Sequence, residues 1–346
     1  MMSTARAFLP ATALLCLAAG ETRAETFSVS TNLPQTHWGV TQGIDPFMAC
    51  VTERTGGGIT FEFYHSGMIA STQEALNAVN AGLADIAYIV MVAETARMPL
   101  NGIPMLPGLS DSVIEMTAAN RAALDAEGAL ASEYRANNIV PLLINMYPAY
   151  QLAGRTATFD TLASMRNAKI SAGGGSLIVT LDALGASPVE MNAGDLYVSI
   201  QQGTLDGSML GLASIESYKL FEVLKSVSTN GMFGSATGTW SIGTAKWDGL
   251  SPEQQTVMRD CGREVEITLA RWVDNWTEEL EAAFAGHGVK TFAYSESELA
   301  VLDTQLSSAR QAYINRLDSR GLPASAALQE YVAALQDEAT KLAKSQ

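Results

Sequence analysis

The chain is poor in the residues that most enzymes use for metal binding and nucleophilic catalysis. Its 346 residues include three cysteines and three histidines, His37, His65 and His287. No histidine has a second ligand at the three- or four-residue spacing of helical metal sites, and no Cys-X-X-Cys, Gly-X-Ser-X-Gly or P-loop motif occurs. The sequence therefore predicts no metal and no cofactor, and it favours a binding protein over an enzyme.

Basic residues are also scarce. The chain has 21 lysines and arginines against 36 aspartates and glutamates, which gives a net charge of −15. Such an anionic surface argues against a nucleic-acid partner and against attachment to anionic lipid. With 47% hydrophobic and 16% charged residues the chain is not a disordered one. Its length allows one large or two ordinary domains.

The N-terminus has the pattern of a secretory signal. Arg6 precedes an apolar segment over residues 7–20, and Thr22 and Ala24 supply small residues for a cleavage site. This segment is too short to span a membrane, and no later segment is apolar and long enough to do so. We expect cleavage after Ala24, so residues 1–24 are predicted to be a signal peptide and the mature chain is expected to be exported.

Two cysteines remain in the mature chain, Cys50 and Cys261. In an oxidising compartment an even pair can form a disulfide. The alternative is two separate buried thiols, each acting as a small hydrophobic side chain. The sequence leaves both possibilities open.

The first half of the chain alternates strand and helix patterns. Period-two alternation predicts strands over residues 27–30 and 59–64, and an apolar run predicts another over 85–92. Between them we predict a helix over residues 38–55 and a second helix capped by Ser71. This β-α-β-α-β order predicts a parallel sheet with helices on both faces.

A second α/β unit follows, and a long helix comes after it. The patterns predict strands over residues 139–146, 169–172 and 188–191, and helices over 176–184 and 194–202. Ser251-Pro252-Glu253-Gln254 is a strong helix start, and the pattern then continues to about Ala285. A helix of that length spans roughly 50 Å, enough to bridge two lobes. Further helix is predicted from Ser295, with a break at residues 321–323. Two units of this kind predict a two-lobed protein with a cleft.

Four stretches, in order along nearly the whole mature chain, carry a family resemblance. They are residues 56–59 with Gly67; residues 74–76 with Gly82, Asp85 and Ile86; residues 185–189 with Asp195, Tyr197, residues 201–203, Asp206 and Gly207; and Trp247 with residues 250–255. With them the sequence resembles the DctP-type solute-binding proteins of tripartite ATP-independent periplasmic (TRAP) transporters.

The resemblance implies a periplasmic-binding-protein-like α/β fold, with two α/β lobes around a central cleft and a long helix crossing both lobes. We expect lobe I to hold residues 25–147 and 236–278, and lobe II residues 148–235 and 279–346. The resemblance also implies a monomeric receptor that closes on a small organic solute and delivers it to the membrane subunits of a permease. It implies no nucleic-acid partner and no membrane span in the mature chain itself.

The departures from the family pattern concern the solute. Most members carry an arginine at the end of a Lys-Ile-Arg strand, where it pairs with a carboxylate, but this chain has Lys169-Ile170-Ser171. A second arginine of some members falls on Gln151, with Arg155 nearby. Serine cannot supply the charge or the paired donors of a guanidinium. We therefore expect an amine, an amino alcohol or another cationic or polar solute, because aromatic faces with a carboxylate suit a cation.

Candidate binding residues follow from the rule that open α/β sheets bind ligands at the carboxyl ends of their strands. They are Trp38 with the adjacent His37, Met91, Glu94, Tyr147, Tyr150, Arg155, Ser171, Met209 and Glu216. Glu94 is the acid expected to pair with a cation.

Three alternatives remain. A carboxylate solute is possible if Arg155 reaches the cleft. A secreted hydrolase is a more distant alternative, and it would need one of His37, His65 and His287 as a base. The binding protein could also report to a membrane sensor instead of a permease.

Overall fold

The structure, a computed structural model, describes residues 24–345, and in that range eleven strands form two sheets. The predicted signal peptide, with Arg6 and the apolar residues 7–20, lies outside the described residues. The strands are β1 (Glu25–Ser30), β2 (Ile59–Tyr64), β3 (Ile86–Val90), β4 (Ile139–Met146), β5 (Gln151–Gly154), β6 (Lys169–Ala172), β7 (Ser187–Glu190), β8 (Gly207–Leu210), β9 (Ser226–Ser228), β10 (Thr237–Gly243) and β11 (Lys290–Phe292).

Helices cover the two sheets and connect them. They are α1 (Asp45–Arg54), α2 (Ala75–Asn80), α3 (Val113–Asp125), α4 (Ala129–Ala136), α5 (Leu162–Met165), α6 (Ser176–Ala183), α7 (Leu196–Gln201), α8 (Leu212–Ser217), α9 (Thr244–Asp248), α10 (Pro252–Gly286), α11 (Glu296–Asp318) and α12 (Ala324–Ser345). A π-helical turn, Gly39–Ile44, leads into α1. None of the helices in the described part of the chain is long and apolar enough to cross a membrane.

The first sheet has the strand order β2-β1-β3-β10-β4. The pairs β1–β2 and β1–β3 are parallel, as the alternating strand and helix patterns predicted. The sheet as a whole is mixed, however, because β10 lies antiparallel between β3 and β4. The prediction of a wholly parallel sheet is therefore wrong at this edge, where a strand from much later in the chain is inserted.

The second sheet has the order β11-β9-β5-β8-β6-β7. Each of its strands comes from the ranges predicted for lobe II, and each strand of the first sheet comes from those predicted for lobe I. The C-terminal helix α12 packs against α3, which lies in the range predicted for lobe I. The fold is thus the two-lobed α/β architecture that the sequence predicted, and the residue boundaries between the lobes stay a prediction.

Helix α10 connects the two halves of the molecule. Its start is the predicted one, because the Ser251 hydroxyl accepts from the Gln254 N–H and the Gln254 side chain accepts from the Ser251 N–H. Its 35 residues reach about 52 Å, and the helix packs against β4 and α3 on one side and against α8 and β11 on the other. The helical prediction from Ser295 onward is also confirmed, by α11 and α12.

A disulfide joins Cys50 of α1 to Cys261 of α10, with 5.8 Å between their Cα atoms. It decides between the two possibilities that the sequence left open. Two further contacts fasten this half of α10. The buried Glu266 carboxylate is bound by Arg121 of α3 and accepts the Ile144 N–H of β4 at 2.6 Å.

One local prediction is wrong. The Ser71 side chain makes no capping hydrogen bond, and a single 3-10 turn, Thr72–Glu74, stands between it and α2. The helix therefore begins later than its sequence pattern suggested, and the side chain of Thr72 is left at the edge of the cleft.

Candidate functional site

A cavity of about 80 Å³ lies between the two sheets and is lined by residues from both. Three tyrosines supply its aromatic surface: Tyr147, Tyr150 and Tyr218. Its polar lining comes from Asn32, Thr72, Ser171, Asn192, Ser208 and Ser214, and the rest is apolar or glycine. No charged side chain lines this cavity in the described part of the chain.

Several lining residues lie at or just beyond the ends of strands, where open α/β sheets bind ligands. Asn32 follows β1, Val92 follows β3, and Tyr147 begins the crossover from β4 to β5. In the second sheet, Ser171 and Ser208 lie on the parallel neighbours β6 and β8, directly opposite each other. The carboxyl ends of these strands meet at one edge, and the cavity forms where the two edges face each other.

Ser171 occupies the position where the family resemblance would place an arginine. Its hydroxyl donates to the Ser208 hydroxyl at 2.9 Å, and both side chains are buried. A neutral hydroxyl pair therefore stands in this wall, and it can exchange hydrogen bonds with a solute but cannot neutralise an anion.

The tyrosines are neutral at physiological pH. Burial raises the pKa of Tyr147 to about 12 and raises those of Tyr150 and Tyr218 well above the ordinary value. The Tyr88 hydroxyl donates to the Tyr147 oxygen at 3.2 Å, which leaves the Tyr147 hydrogen available to another acceptor.

An aromatic layer stands behind Tyr147. Trp38 meets the Tyr147 ring edge-on with centroids 4.9 Å apart, and His37 lies against Trp38 with centroids 5.2 Å apart. Both side chains are almost fully buried. Burial lowers the pKa of His37 to about 3, so its imidazole is neutral.

The structure brings together only part of the predicted site. Tyr147, Tyr150, Ser171 and Met209 line the cavity, and Trp38 packs behind it; Met91, Glu94, Arg155 and Glu216 are not among the lining residues. Met91 is buried directly after β3, and its sulfur accepts from the Tyr134 hydroxyl at 3.7 Å.

The charged residues among the predicted site residues lie outside the cavity wall. The buried Glu94 carboxylate accepts from Arg97 Nε at 2.7 Å and from Arg97 Nη2 at 2.9 Å, so this acid already has a cation. Burial raises the pKa of Glu94, and the attraction of Arg97 opposes that rise. Arg155 lies beside Gly203, outside the cavity wall. Glu216, on α8, is half-buried, and its Oε2 has no hydrogen-bond partner among the described residues.

Gln151, where the resemblance would put a second arginine, has a structural role. Its amide nitrogen donates to the Gly231 carbonyl at 2.6 Å, and its oxygen accepts from the Gly231 N–H and from the Ser228 hydroxyl, both at 2.8 Å. These bonds hold the start of β5 to β9 of the same sheet and to Gly231, which follows β9.

Sequence reasoning missed several lining residues. Asn192 lies two residues after β7 and Asn32 lies two residues after β1, so the same strand-end rule would have found both. Tyr218 had no such signal, because it follows the short helix α8 and reaches the cavity only through the packing of that helix.

The two halves touch at the mouth of the cavity. Gln73 Nε2 donates to Asn192 Oδ1 at 2.9 Å across the cleft. On the other side, the turn after β6 lies against the segment after β3. A Cβ at Gly175 would be 2.4 Å from Thr95 Cγ2, and one at Gly173 would be 3.0 Å from Val92 Cγ2. The molecule is therefore in a closed arrangement.

Comparisons with known families and proteins agree with this geometry. The profile of the bacterial extracellular solute-binding proteins, family 7 (DctP), matches residues 29–316. A protein named "Solute-binding protein" from Albidiferax ferrireducens is 23% identical over 255 residues, which cover 73% of this chain and 75% of that protein.

Solved structures show the same fold at low identity. A TRAP solute-binding protein from Rhodoferax ferrireducens, with copurified benzoate, superposes with a TM-score of 0.86 at 18% identity, covering 92% of this chain and 100% of that one. Another, from Bordetella bronchiseptica with bound mandelate, gives a TM-score of 0.81 at 20% identity, covering 90% and 99%.

Proposed function

The chain belongs to family 7 of the bacterial extracellular solute-binding proteins, and from this membership we propose that it is the periplasmic receptor of a TRAP transporter. It closes its lobes on a small organic solute and delivers that solute to the membrane permease. The cavity enclosed between two sheets is the observation that carries the proposal, since both lobes contribute to its wall. The sequence pattern of a signal peptide supports a periplasmic location.

We further propose that the solute carries no net negative charge. The cavity wall consists of tyrosines, hydroxyls, amides and apolar groups, and within residues 24–345 it has no cation to pair with an anion. Moving an unpaired carboxylate from water into such a site costs several kcal/mol, whereas a hydroxyl or a carbonyl can be satisfied by the neutral donors present.

The narrower expectation of an amine now depends on the tyrosines. Glu94 was to be the partner of the cation, but Arg97 already binds its carboxylate. Tyrosine faces attract an ammonium group by themselves, so an amino alcohol remains within the proposal. Neutral oxygen-containing solutes fit the same wall equally well.

A carboxylate solute is the second candidate, because two structurally similar receptors were solved with benzoate and with mandelate. This chain would have to bind the carboxylate without an arginine in the wall, since Arg155 lies outside it. We do not propose a hydrolase, because the family to which the chain belongs is one of solute-binding proteins.

Two series of molecules that differ in charge but little in size test the solute class. One contains 2-aminoethanol, ethylene glycol and glycolate, and the other contains benzylamine, benzyl alcohol and benzoate. We expect a cationic or neutral member to stabilise the mature chain by a few degrees in thermal unfolding, and the carboxylates to have little effect. Tighter binding of glycolate or benzoate than of its neutral counterpart would contradict the proposed charge.

The variant Ser171→Arg tests the same point from the side of the protein. It places a guanidinium where the resemblance expects one, and we expect it to raise the affinity for benzoate or glycolate by about ten- to a hundredfold. Ser171→Ala is the control, since it also breaks the bond to Ser208 but adds no charge. Equal carboxylate binding by both variants would show that this position does not face the solute.

A further inference from the structure

We propose that the hydroxyl groups of Tyr150 and Tyr218, together with those of Tyr147 and Ser208, donate hydrogen bonds to the solute and determine its specificity. The inference rests on the proposed function and deepens it. It narrows the solute to a molecule with at least two acceptor oxygens, such as a diol, a lactone or a diketone. It sets aside alkylamines without oxygen.

Two of these hydroxyls have no partner in the protein. The Tyr150 and Tyr218 hydroxyls make no hydrogen bond within residues 24–345. The polar atoms that are both unpaired and fully enclosed lie on other residues, so these two hydroxyls border open space. Both residues line the cavity, and Tyr150 is only 5% exposed, so the space beside them is the cavity itself.

The other two hydroxyls keep a free hydrogen because their oxygens are already engaged. Tyr88 donates to the Tyr147 oxygen at 3.2 Å, and Ser171 donates to the Ser208 oxygen at 2.9 Å. Each hydroxyl has one hydrogen, and neither of these two hydrogens has an acceptor among the described residues. Tyr147 and Ser208 both line the cavity, so they meet the solute as donors.

The donor behind Tyr147 is fixed by close packing. Tyr88 is fully buried, and its ring centroid lies 4.9 Å from that of Trp240. A Cβ at Gly238 would be 2.4 Å from the Tyr88 hydroxyl oxygen, so the strand β10 leaves room for this hydroxyl only because it has a glycine there. The bond from Tyr88 to Tyr147 is therefore a built feature of the wall.

The tyrosine hydroxyls lie near one another. Burial raises the pKa of Tyr150 and that of Tyr218, and the nearby Tyr147 hydroxyl raises both pKa values further. One ionisable group affects the pKa of another in this way at short range. The three hydroxyls therefore converge on the same part of the cavity.

Four donor hydroxyls define the chemistry of the solute. A carbonyl or hydroxyl oxygen has two lone pairs, so four donors need at least two oxygen atoms. An alkylammonium group brings donors and no acceptor, and it would leave the Tyr147 and Ser208 hydrogens unpaired in the closed cavity. A solute with two oxygens can pair all four donors.

Three ring molecules of similar size test the requirement for oxygen. They are cyclopentane, γ-butyrolactone, which has two oxygens, and pyrrolidine, which is a cation at neutral pH. We expect the mature chain to bind γ-butyrolactone more tightly than pyrrolidine. Tighter binding of pyrrolidine than of γ-butyrolactone would overturn the proposal.

Removal of single hydroxyls shows which of them the solute contacts. We expect Tyr150→Phe and Tyr218→Phe each to weaken the binding of γ-butyrolactone about three- to tenfold, which is the loss of one neutral hydrogen bond. Both variants should bind cyclopentane as the natural chain does, because that probe has no acceptor. An unchanged affinity for γ-butyrolactone, or an equal loss for both probes, would overturn the proposal.

Thermal unfolding of the same variants gives a test that needs no ligand. Tyr150→Phe and Tyr218→Phe remove hydroxyls without a protein partner, so their unfolding temperatures should equal or exceed that of the natural chain. The control is Tyr313→Phe, because the Tyr313 hydroxyl lies outside the cavity wall and donates to the Pro99 carbonyl at 2.7 Å. This control should unfold a few degrees lower and bind γ-butyrolactone normally. A loss of stability in the cavity variants as large as that of the control would overturn the proposal, since the protein itself would then use those hydroxyls.

These outcomes are distinct from a failure of the proposed function. If benzoate or glycolate binds and the neutral and cationic probes do not, the assigned charge is wrong, and the two variants measured with that carboxylate decide the role of the hydroxyls. If none of the probes binds, the solute class is wrong, and the ligand-free unfolding temperatures still support or overturn the assignment of Tyr150 and Tyr218.

Discussion

Burial lowers the pKa of the His37 imidazole, and this makes the stability of the fold depend on pH. Its pKa in the folded protein is about 3, against 6.5 for an exposed histidine. Because the unfolded chain binds more protons between these two values, the free energy of unfolding falls as the pH drops from about 6.5 towards about 3. One residue thereby makes the fold sensitive to acid.

We predict that His37 contributes about 1.4 kcal/mol of acid destabilisation per pH unit in that window. The variant His37→Gln cannot titrate, so its free energy of unfolding should fall less steeply between pH 6 and pH 4. Denaturant unfolding of both proteins at several pH values measures their free energies of unfolding. The difference between the two is free of the contribution of the carboxyl groups, which both proteins share. Parallel curves would show that His37 is already protonated in the folded state.

For single residues, the sequence predicted where a side chain lies better than which groups it contacts. The strand end at Ser171 and the crossover at Tyr147 and Tyr150 were visible in local sequence patterns, and all three side chains line the cavity. Their contact with a solute stays a prediction. The sequence could not show that the Glu94 carboxylate is already bound, although Arg97 three residues later was a visible sign of that pair. Whether a charge is free depends on geometry that forms only when the loop folds.

Among the elements, helix α10 connects the two halves of the molecule, and its disulfide links it to a distant part of the chain. The bridge closes a loop across a sequence separation of 211 residues and fixes the first half of the helix to α1, which packs against β2 of the first sheet. A cross-link over so long a loop removes much entropy from the unfolded chain.

We predict that loss of this disulfide lowers the free energy of unfolding by about 2–5 kcal/mol. The double variant Cys50→Ala/Cys261→Ala should unfold at a lower temperature than the oxidised natural chain, by several degrees. A reducing agent should lower the natural chain to a similar temperature and leave the double variant unchanged. No response of the natural chain to reduction would mean that its cysteines are not bonded.

Elements with strong end signals were predictable, and short buried ones were not. The cap of α10 at Ser251 and that of α11 at Ser295 are local hydrogen-bonding patterns, so their sequences identify them. The strands β5 and β9 have four and three residues, and only their neighbours in the sheet make them strands. Helix α3 had an unused signal, since Ser112 caps it three residues before Glu115.

For the molecule as a whole, glycines allow the closed arrangement. The turn after β6 approaches the opposite half so closely that Gly175 has no room for a side chain, and its φ of +58° also favours glycine. Since Thr95 belongs to the other side of the cleft, a side chain at this turn would act between the lobes and not only within one of them.

We predict that Gly175→Ala holds the lobes apart, weakens solute binding about tenfold or more and increases the radius of gyration in small-angle scattering. Gly185→Ala is the matched control, because that residue also has a positive φ, of +76°, but no atom within 4 Å of the added carbon. Adding Thr95→Ser to Gly175→Ala removes the methyl group in conflict and should restore part of the binding, while the strain of the positive φ remains. If the two glycine variants have equal effects, backbone strain at a positive φ explains the loss of binding, and contact with Thr95 does not.

The neutral wall of the cavity has a consequence for the speed of encounter. The chain around the cavity has a net charge of −15, so the electrostatic field of the protein acts on a solute before the solute contacts the cavity wall. That field slows the approach of anions and hastens that of cations, and it fades over about 8 Å at physiological ionic strength. Part of the discrimination among solutes is therefore kinetic, and dilution of the surrounding salt strengthens it without any change in the contacts.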